Sequence, residues 1–192
     1  MSKIKFAVIG CGHIGKRHAS MIIGNADFEL VALCDIKPKD ELGLENFTGA
    51  RFFNSIDALI QSGIAIDAVA IASPNGYHQE QALQVLENNW HVVVEKPMAL
   101  TKAGCEQIIF KALQKHKQVF CVMQTRYSPP SVWLKEVLDS GKLGKVFMVQ
   151  INCYWNRDDR YYKPDPNTGK PSTWHGTKAL DGGTLFTQFS HF

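Results

Sequence analysis

The chain has no block of like charge, no apolar run of membrane length and no paired cysteines, and each absence removes a class of function. Its 21 Lys and Arg against 18 Asp and Glu leave a net charge of +3, with the basic residues scattered. Nucleic-acid binders and proteins held on anionic membranes need clustered basic side chains, so neither partner is expected. No apolar stretch approaches the ~20 residues of a membrane span. The opening MSKIKFAVIG runs straight into a strand pattern, without the longer apolar stretch and small-residue cleavage site of a secretory leader. The five cysteines, at 11, 34, 105, 121 and 153, are odd in number and widely spaced. Without CxxC spacing or a Cys/His cluster, neither a disulfide framework nor a metal site is expected, and reduced thiols in a cytoplasmic protein are the economical reading. Internal repeats and low-complexity tracts are missing as well.

What is there is the balance of a globular chain, with 45% hydrophobic and 20% charged residues. The 192 residues suffice for one domain and part of another. Residues 3–9 (KIKFAVI) read as a short strand. Gly10-Cys11-Gly12-His13-Ile14-Gly15 then opens a helix to about Ile23, and 30–34 (LVALC) read as a second strand ending in Asp35. Strand, G-x-G-x-x-G, helix, strand and acid, in that order, make a dinucleotide-binding arrangement. Gly10 permits the turn, Gly12 lets the backbone approach a pyrophosphate, and Gly15 lets helix and strand pack closely. The phosphates then rest on a helix N-terminus, whose unpaired N–H groups favour negative charge. Asp35 would accept hydrogen bonds from the adenosine ribose and repel a 2′-phosphate. NAD is therefore expected over NADP, with Lys37 and Lys39 close behind as the counter-indication. Cys11 and His13 read as fillers beside the phosphates.

The pattern repeats. Strands at 51–53, 65–72, 90–94 and 119–123 alternate with helices at 56–61, 76–88 and 101–115. Such alternation means parallel crossovers, an α/β fold with a doubly wound Rossmann sheet. In the 76–88 helix Tyr77, Leu83 and Leu86 share the apolar face. Ser73-Pro74-Asn75 and Glu95-Lys96-Pro97 fall at strand carboxyl ends, where one crevice would collect them. His78, one turn on, can reach that crevice or stand in solvent. A lysine before proline is more often a solvated loop residue; after a buried strand, Lys96 becomes a candidate proton donor or acceptor.

From 124 the style changes. Residues 124–130 read as a linker with paired prolines and 132–138 as a helix, while 145–155 (KVFMVQINCYW) alternate like a strand of a separate, open, mainly antiparallel sheet. A polar and aromatic loop, 156–178, carries Arg157, Arg160, Tyr161, Tyr162, Trp174 and His175. Guanidinium groups interleaved with aromatic faces suit a phosphorylated or carboxylated ring-shaped ligand; an oligomer contact is the other reading. Residues 184–192 look like a helix start, with Thr187 and His191 on one face. By itself His191 reads more readily as a packed or capping residue. The expected division is a dinucleotide-binding domain over 1–123 and, over 124–192, the beginning of an α+β substrate and oligomerisation domain, incomplete because a lone strand needs partners.

Together these motifs resemble the Gfo/Idh/MocA family of nicotinamide-dependent oxidoreductases. The glycine loop 10–15, Ser73-Pro74-Asn75 with His78, Glu95-Lys96-Pro97, and Asp181-Gly182-Gly183 followed by His191 carry the likeness. The resemblance implies hydride transfer between NAD(P) and a sugar or cyclitol carbon, with Lys96 and His191 beside the nicotinamide and the reacting carbon. It implies cofactor contacts at Gly10, Gly12, His13, Ile14, Gly15, Asp35, Ser73, Asn75, His78, Glu95, Lys96 and Arg126. Substrate contacts are implied at Lys96, Arg157, Arg160, Tyr161, Thr187, Gln188 and His191.

Within that family, 154–162 (YWNRDDRYY), 174–177 (WHGT) and 183–188 (GTLFTQ) are similar to the UDP-N-acetylglucosaminuronate 3-dehydrogenases, which make a 3-keto sugar nucleotide for bacterial surface polysaccharide. Position 187, often Asp or Asn in the family, is Thr here, and Thr184 and Phe189 replace usual glycines. Thr187 cannot ionise, which leaves Lys96 and His191 as acid–base groups. A free lysine titrates at about 10.4; the nicotinamide charge and burial would lower that value, and an inward Glu95 would raise it. A sugar-nucleotide substrate and a homo-oligomer, dimer or tetramer, joined through the second-domain sheet complete the expectation. The alternatives are a family dehydrogenase acting on another sugar or cyclitol, and a non-catalytic NAD-sensing regulator.

Overall fold

Alternation along the strands decides where the two cores lie. In β1 (Ile4–Ile9), Ala7 and Ile9 face one side and Val8 the other; in β2 (Phe28–Cys34), Ala32 and Cys34 oppose Leu33. In β4 (Ala68–Ile71), Val69 and Ile71 oppose Ala70. Both faces are apolar because both are covered. On one lie α2 (Ile56–Gln61), α3 (His78–Glu87) and α4 (Lys102–Lys115), contributing Leu59, Ala82, Val85, Leu86, Ile108 and Ala112. On the other lies α1 (His13–Ile23) through Ala19 and Ile22, with Leu42, Leu44 and Phe47 of the following segment beside it. Fully burying each such Leu, Ile or Val side chain contributes about 1.5–3 kcal/mol. The computed structural model describes residues 2–162 and 174–191, the side chains at 159, 160, 184 and 185 excepted.

With β3 (Arg51–Phe53), β5 (His91–Glu95) and β6 (Val119–Val122), the six-stranded sheet has the order β3-β2-β1-β4-β5-β6. The pairings β1–β2, β1–β4, β2–β3 and β4–β5 are parallel. This is the expected Rossmann sheet, and its strand order reverses between β1 and β4, where a crevice opens at the carboxyl ends. Helix α2 starts on Ser55, whose hydroxyl accepts from the Ala58 amide at 3.1 Å; α4 starts on Thr101, which accepts from Gly104 at 3.0 Å. Each cap satisfies an amide the helix leaves open.

The chain divides into two compact units, Met1–Cys121 and Val122–Phe192. In the second, α5 runs Pro129–Asp139, beginning earlier than expected because proline suits the first helical turn. Short helical turns follow: α6 (Asp159–Tyr162), α7 (Lys178–Asp181) and α8 (Thr184–Thr187).

Three expectations are corrected. The core-facing side of α3 is His78, Ala82, Val85 and Leu86, with Leu83 packed against the core as expected; Tyr77 instead sits ahead of the helix in a 3-10 turn and is 42% exposed. The α8 helix ends at Thr187 and a separate 3-10 turn covers Phe189–His191, so Thr187 and His191 do not share one helical face. Residues 145–155 form no strand, and no antiparallel sheet exists among the described residues. A strand is stabilised by its neighbour's amides and carbonyls, and no described segment of this unit pairs with the run. Phe147, Met148 and Val149 are 85%, 80% and 75% exposed, so apolar groups point outward on both sides.

Candidate active site

The glycine loop is shaped by contacts that leave no room for side chains. Gly10 adopts φ +85°, and a Cβ there would stand 2.6 Å from the Ser73 amide nitrogen. A Cβ on Gly15 would fall 1.7 Å from the Gly10 carbonyl oxygen. The loop after β1 is thus pressed against both the end of β4 and the first turn of α1. Gly12 faces open space, with nothing within 4 Å of the Cβ position. A closed turn with one open glycine at a helix N-terminus is a cradle that fits a pyrophosphate. His13 and Ile14 occupy the exposed start of α1.

Asp35, at the end of β2, accepts from the Cys11 amide at 2.7 Å through Oδ2 and from the Lys37 amide at 2.9 Å through Oδ1. An ionised carboxylate has about four acceptor sites, so these bonds leave capacity for ribose hydroxyls. Cys11 lies beneath the loop with its thiol 3.5 Å from the Cys34 carbonyl. Burial first, then the Asp35 charge, pushes both thiols up to about 12. They are packing groups with no thiolate at neutral pH. Cys11, Cys34, Cys105 and Cys153 are free thiols.

After β4, the Ser73 hydroxyl donates to Gln81 Oε1 at 2.6 Å, and Asn75 is buried to 6% exposure. His78, expected to line the crevice or stand in solvent, does neither. It is fully buried, with Nδ1 2.8 Å from the Pro97 carbonyl and Nε2 2.9 Å from the Ser73 carbonyl. Its ring is committed to the protein, so it is removed from the cofactor contacts. Burial holds its pKa below the ordinary histidine value, against the pull of the two carbonyls and Glu95.

β5 ends in Glu95, and the half-buried Lys96 follows, joined to Pro97 by a cis peptide bond. Glu95 points back to α1, where His18 Nε2 stands 2.8 Å from Oε1, both side chains largely buried. Residue-by-residue reading missed His18; its partner lies 77 positions away, and no local pattern joins the two.

In the second unit Arg157 is the centre. Its guanidinium lies 4.5 Å from the Trp155 ring centroid and 4.7 Å from that of Tyr161. Nε donates to Gln188 Oε1 at 3.1 Å, and Gln188 Nε2 donates to the Tyr161 hydroxyl at 3.2 Å. Gln188 is buried and bonds to both Arg157 and Tyr161. Burial raises the Tyr161 pKa, keeping the phenol neutral. Trp155, Asn156, Arg157, Tyr162 and Gln188 line a cleft of about 390 Å³. His191 meets Trp155 edge-on at 5.2 Å, and its Nδ1 is 3.2 Å from Gln124 Nε2.

Thr187, expected to touch substrate, turns inward: its hydroxyl donates to the Asp181 carboxylate and stands 2.8 Å from the Asp181 carbonyl oxygen. Asp181 also accepts from the Gly176 amide at 2.9 Å and is 4% exposed. The carboxylate missing at position 187 is thus present next to it, held by that threonine. Arg126 is exposed in the 3-10 turn Gln124–Tyr127. The Arg160 side chain and residues 163–173 of the aromatic loop lie outside the described residues. Among the described residues no group of His, Cys, Asp or Glu could hold a metal ion, and no helix is long and apolar enough to cross a membrane.

Fold and glycine cradle define a class, the dinucleotide-binding Rossmann proteins. Residues 4–123 match the oxidoreductase family GFO_IDH_MocA, with its NAD-binding Rossmann fold, and 132–192 match the GFO/IDH/MocA C-terminal domain. The chain belongs to this family. It is similar to the WlbA dehydrogenase of Bordetella pertussis, solved with NADH and UDP-GlcNAcA. That likeness has 34% identity and a TM-score of 0.89, covering 100% of this chain and 55% of the other. It is also 30% identical over 150 residues to D-glucoside 3-dehydrogenase of Escherichia coli K12, covering 77% of this chain and 42% of that protein. Inositol 2-dehydrogenase of Salmonella paratyphi B is 32% identical over 156 residues, with 79% and 46% covered. The chain spans under half the length of these two curated relatives.

Proposed function

We propose that this chain forms part of an NAD-dependent dehydrogenase that oxidises the C3 hydroxyl of a UDP-N-acetylglucosaminuronate-type sugar nucleotide to the 3-keto sugar. The observation that carries the reading is the Arg157 guanidinium fixed between Trp155 and Tyr161 and locked by Gln188. Such a planar cation offers bidentate donors to a carboxylate or phosphate, and the aromatic faces beside it suit a sugar or base. The likeness of the whole chain to the Bordetella protein, whose crystal held NADH and UDP-GlcNAcA, supports the same reading.

When bound in the glycine cradle, NAD would supply the acceptor for a hydride from the sugar carbon. The protein's share is placement and proton transfer. Gly10, Gly12 and Gly15 seat the pyrophosphate, and Asp35 takes the ribose hydroxyls. Lys96 receives the proton of the reacting hydroxyl, with His191 as the second acid–base group. Arg157, aided by Arg160, binds the uronate carboxylate or the pyrophosphate. Positioned acid–base help is worth about 10²–10⁴-fold in rate.

The test is NADH formation by the full-length protein given NAD and UDP-N-acetylglucosaminuronate, with the 3-keto product identified by mass spectrometry. Lys96→Met should keep NADH affinity and lose at least about 10²-fold in turnover; near-normal turnover refutes the assignment. The second reading is a family dehydrogenase for another sugar or cyclitol, favoured by the likeness to the glucoside and inositol enzymes. Turnover of a simple glucoside or inositol above that of the sugar nucleotide would select it.

A further inference from the structure

Two histidines hold the residues on either side of Lys96. His18, on α1, donates from Nε2 to the Glu95 carboxylate at 2.8 Å. His78, at the start of α3, reaches the Pro97 carbonyl at 2.8 Å. The pair ties the turn after β5 to the helix following the glycine loop and to the helix following Ser73. We propose that His18 and His78 are positioning residues that fix the turn 95–97 from both ends and so aim the Lys96 ammonium, acting through Glu95 and Pro97 without touching cofactor or substrate. The proposal rests on the reading of Lys96 as the proton-transfer group.

The chemistry of His78 makes the idea specific. A carbonyl oxygen only accepts, so the Pro97 and Ser73 carbonyls each call for a ring N–H, and a neutral imidazole has one. Burial favours the neutral ring. The Pro97 bond is wholly buried whereas the Ser73 bond is partly open. An unsatisfied acceptor costs more where water cannot reach it, so the proton sits on Nδ1 and the working bond goes to Pro97. For His18 the working nitrogen is Nε2.

Side-chain amides separate the two cases. The asparagine nitrogen falls near the position of imidazole Nδ1, and the glutamine nitrogen near that of Nε2. The experiment measures kcat, KM, NADH affinity and thermal unfolding of the full-length enzyme carrying His18→Gln, His18→Asn, His78→Asn or His78→Gln. The expected pattern is crossed. His18→Gln and His78→Asn stay within about threefold of the parent kcat, while His18→Asn and His78→Gln lose about tenfold or more, with NADH affinity held in all four. Equal losses within each pair, losses confined to NADH affinity or KM, or no loss at all would overturn the proposal. Should a His78 variant not fold, ring ¹⁵N shifts of the parent decide: Nδ1 protonated and Nε2 bare is expected, and the opposite tautomer overturns the assignment. Lys96→Met measured alongside keeps the two readings apart. Lost turnover there without the crossed pattern sinks the positioning role alone, whereas surviving turnover removes the basis of both.

Discussion

The amide of Cys11 donates to the carboxylate of Asp35 at 2.7 Å, which ties the middle of the glycine loop to the end of the neighbouring strand. One side chain therefore braces the loop and, under the proposed function, would also supply the acceptor for a ribose. Asp35→Ala removes both. A hydrogen bond to a charged group is worth roughly 1.5–3 kcal/mol, so NADH affinity should fall by about tenfold to a hundredfold. Titration of NADH and NADPH by fluorescence checks this, with the preference for NADH narrowing in the same variant.

Gly15 and Gly12 should respond to a methyl group in opposite ways. At Gly15 the new carbon would stand 1.7 Å from a backbone oxygen, and overpacking of this kind costs about 1–3 kcal/mol. Gly15→Ala should lower the Tm by several degrees, at roughly 2–4 °C per kcal/mol. At Gly12 nothing lies within 4 Å, so Gly12→Ala should melt like the parent yet bind NADH less well. Calorimetry alongside NADH titration separates the two.

Arg157→Lys keeps the charge but loses the planar stack on Trp155 and Tyr161. Under the proposed function, this variant and Arg157→Ala should both raise KM for the sugar nucleotide by about tenfold or more, with kcat changed much less. A fall in kcat at unchanged KM would place Arg157 in the chemical step instead.

Stability should fall on mild acidification in part because of His78. Its folded pKa is depressed by burial, so the unfolded chain binds the proton more readily. The contribution is complete above the unfolded histidine value, about 6.5, and is lost as pH drops below that toward the folded value. His78→Asn should flatten the dependence of Tm on pH between about 7.5 and 5.5. His175, also depressed chiefly by burial, adds a slope of the same sign and remains in that variant.

The glycine loop, the placing of Asp35 at the end of β2 and the alternation of strands and helices in the first unit were legible because each rests on a local signal: glycine spacing, a strand ending in an acid, and apolar runs cut by turns. His78 was misread for the opposite reason. Its sequence neighbours Tyr77, Gln79 and Glu80 look solvated, while its fully buried ring bonds to the Pro97 carbonyl, 19 residues on. His18 and Glu95 are hidden in the same way. In the second unit, alternation at 145–155 gave a strand, but period two describes only which faces the side chains take; pairing belongs to whatever lies beside the run. The buried Asp181 carboxylate was quoted as part of a motif, yet its bond to Thr187 depends on the turn between them.

That exposed run has a practical consequence at the bench. Phe147, Met148, Val149, Ile151 and Tyr154 leave a large greasy area in water, a surface of the kind that associates with other copies. A sample of these 192 residues by themselves should therefore stick to itself as it is concentrated, and a dilute stock with mild detergent is the sensible way to handle it.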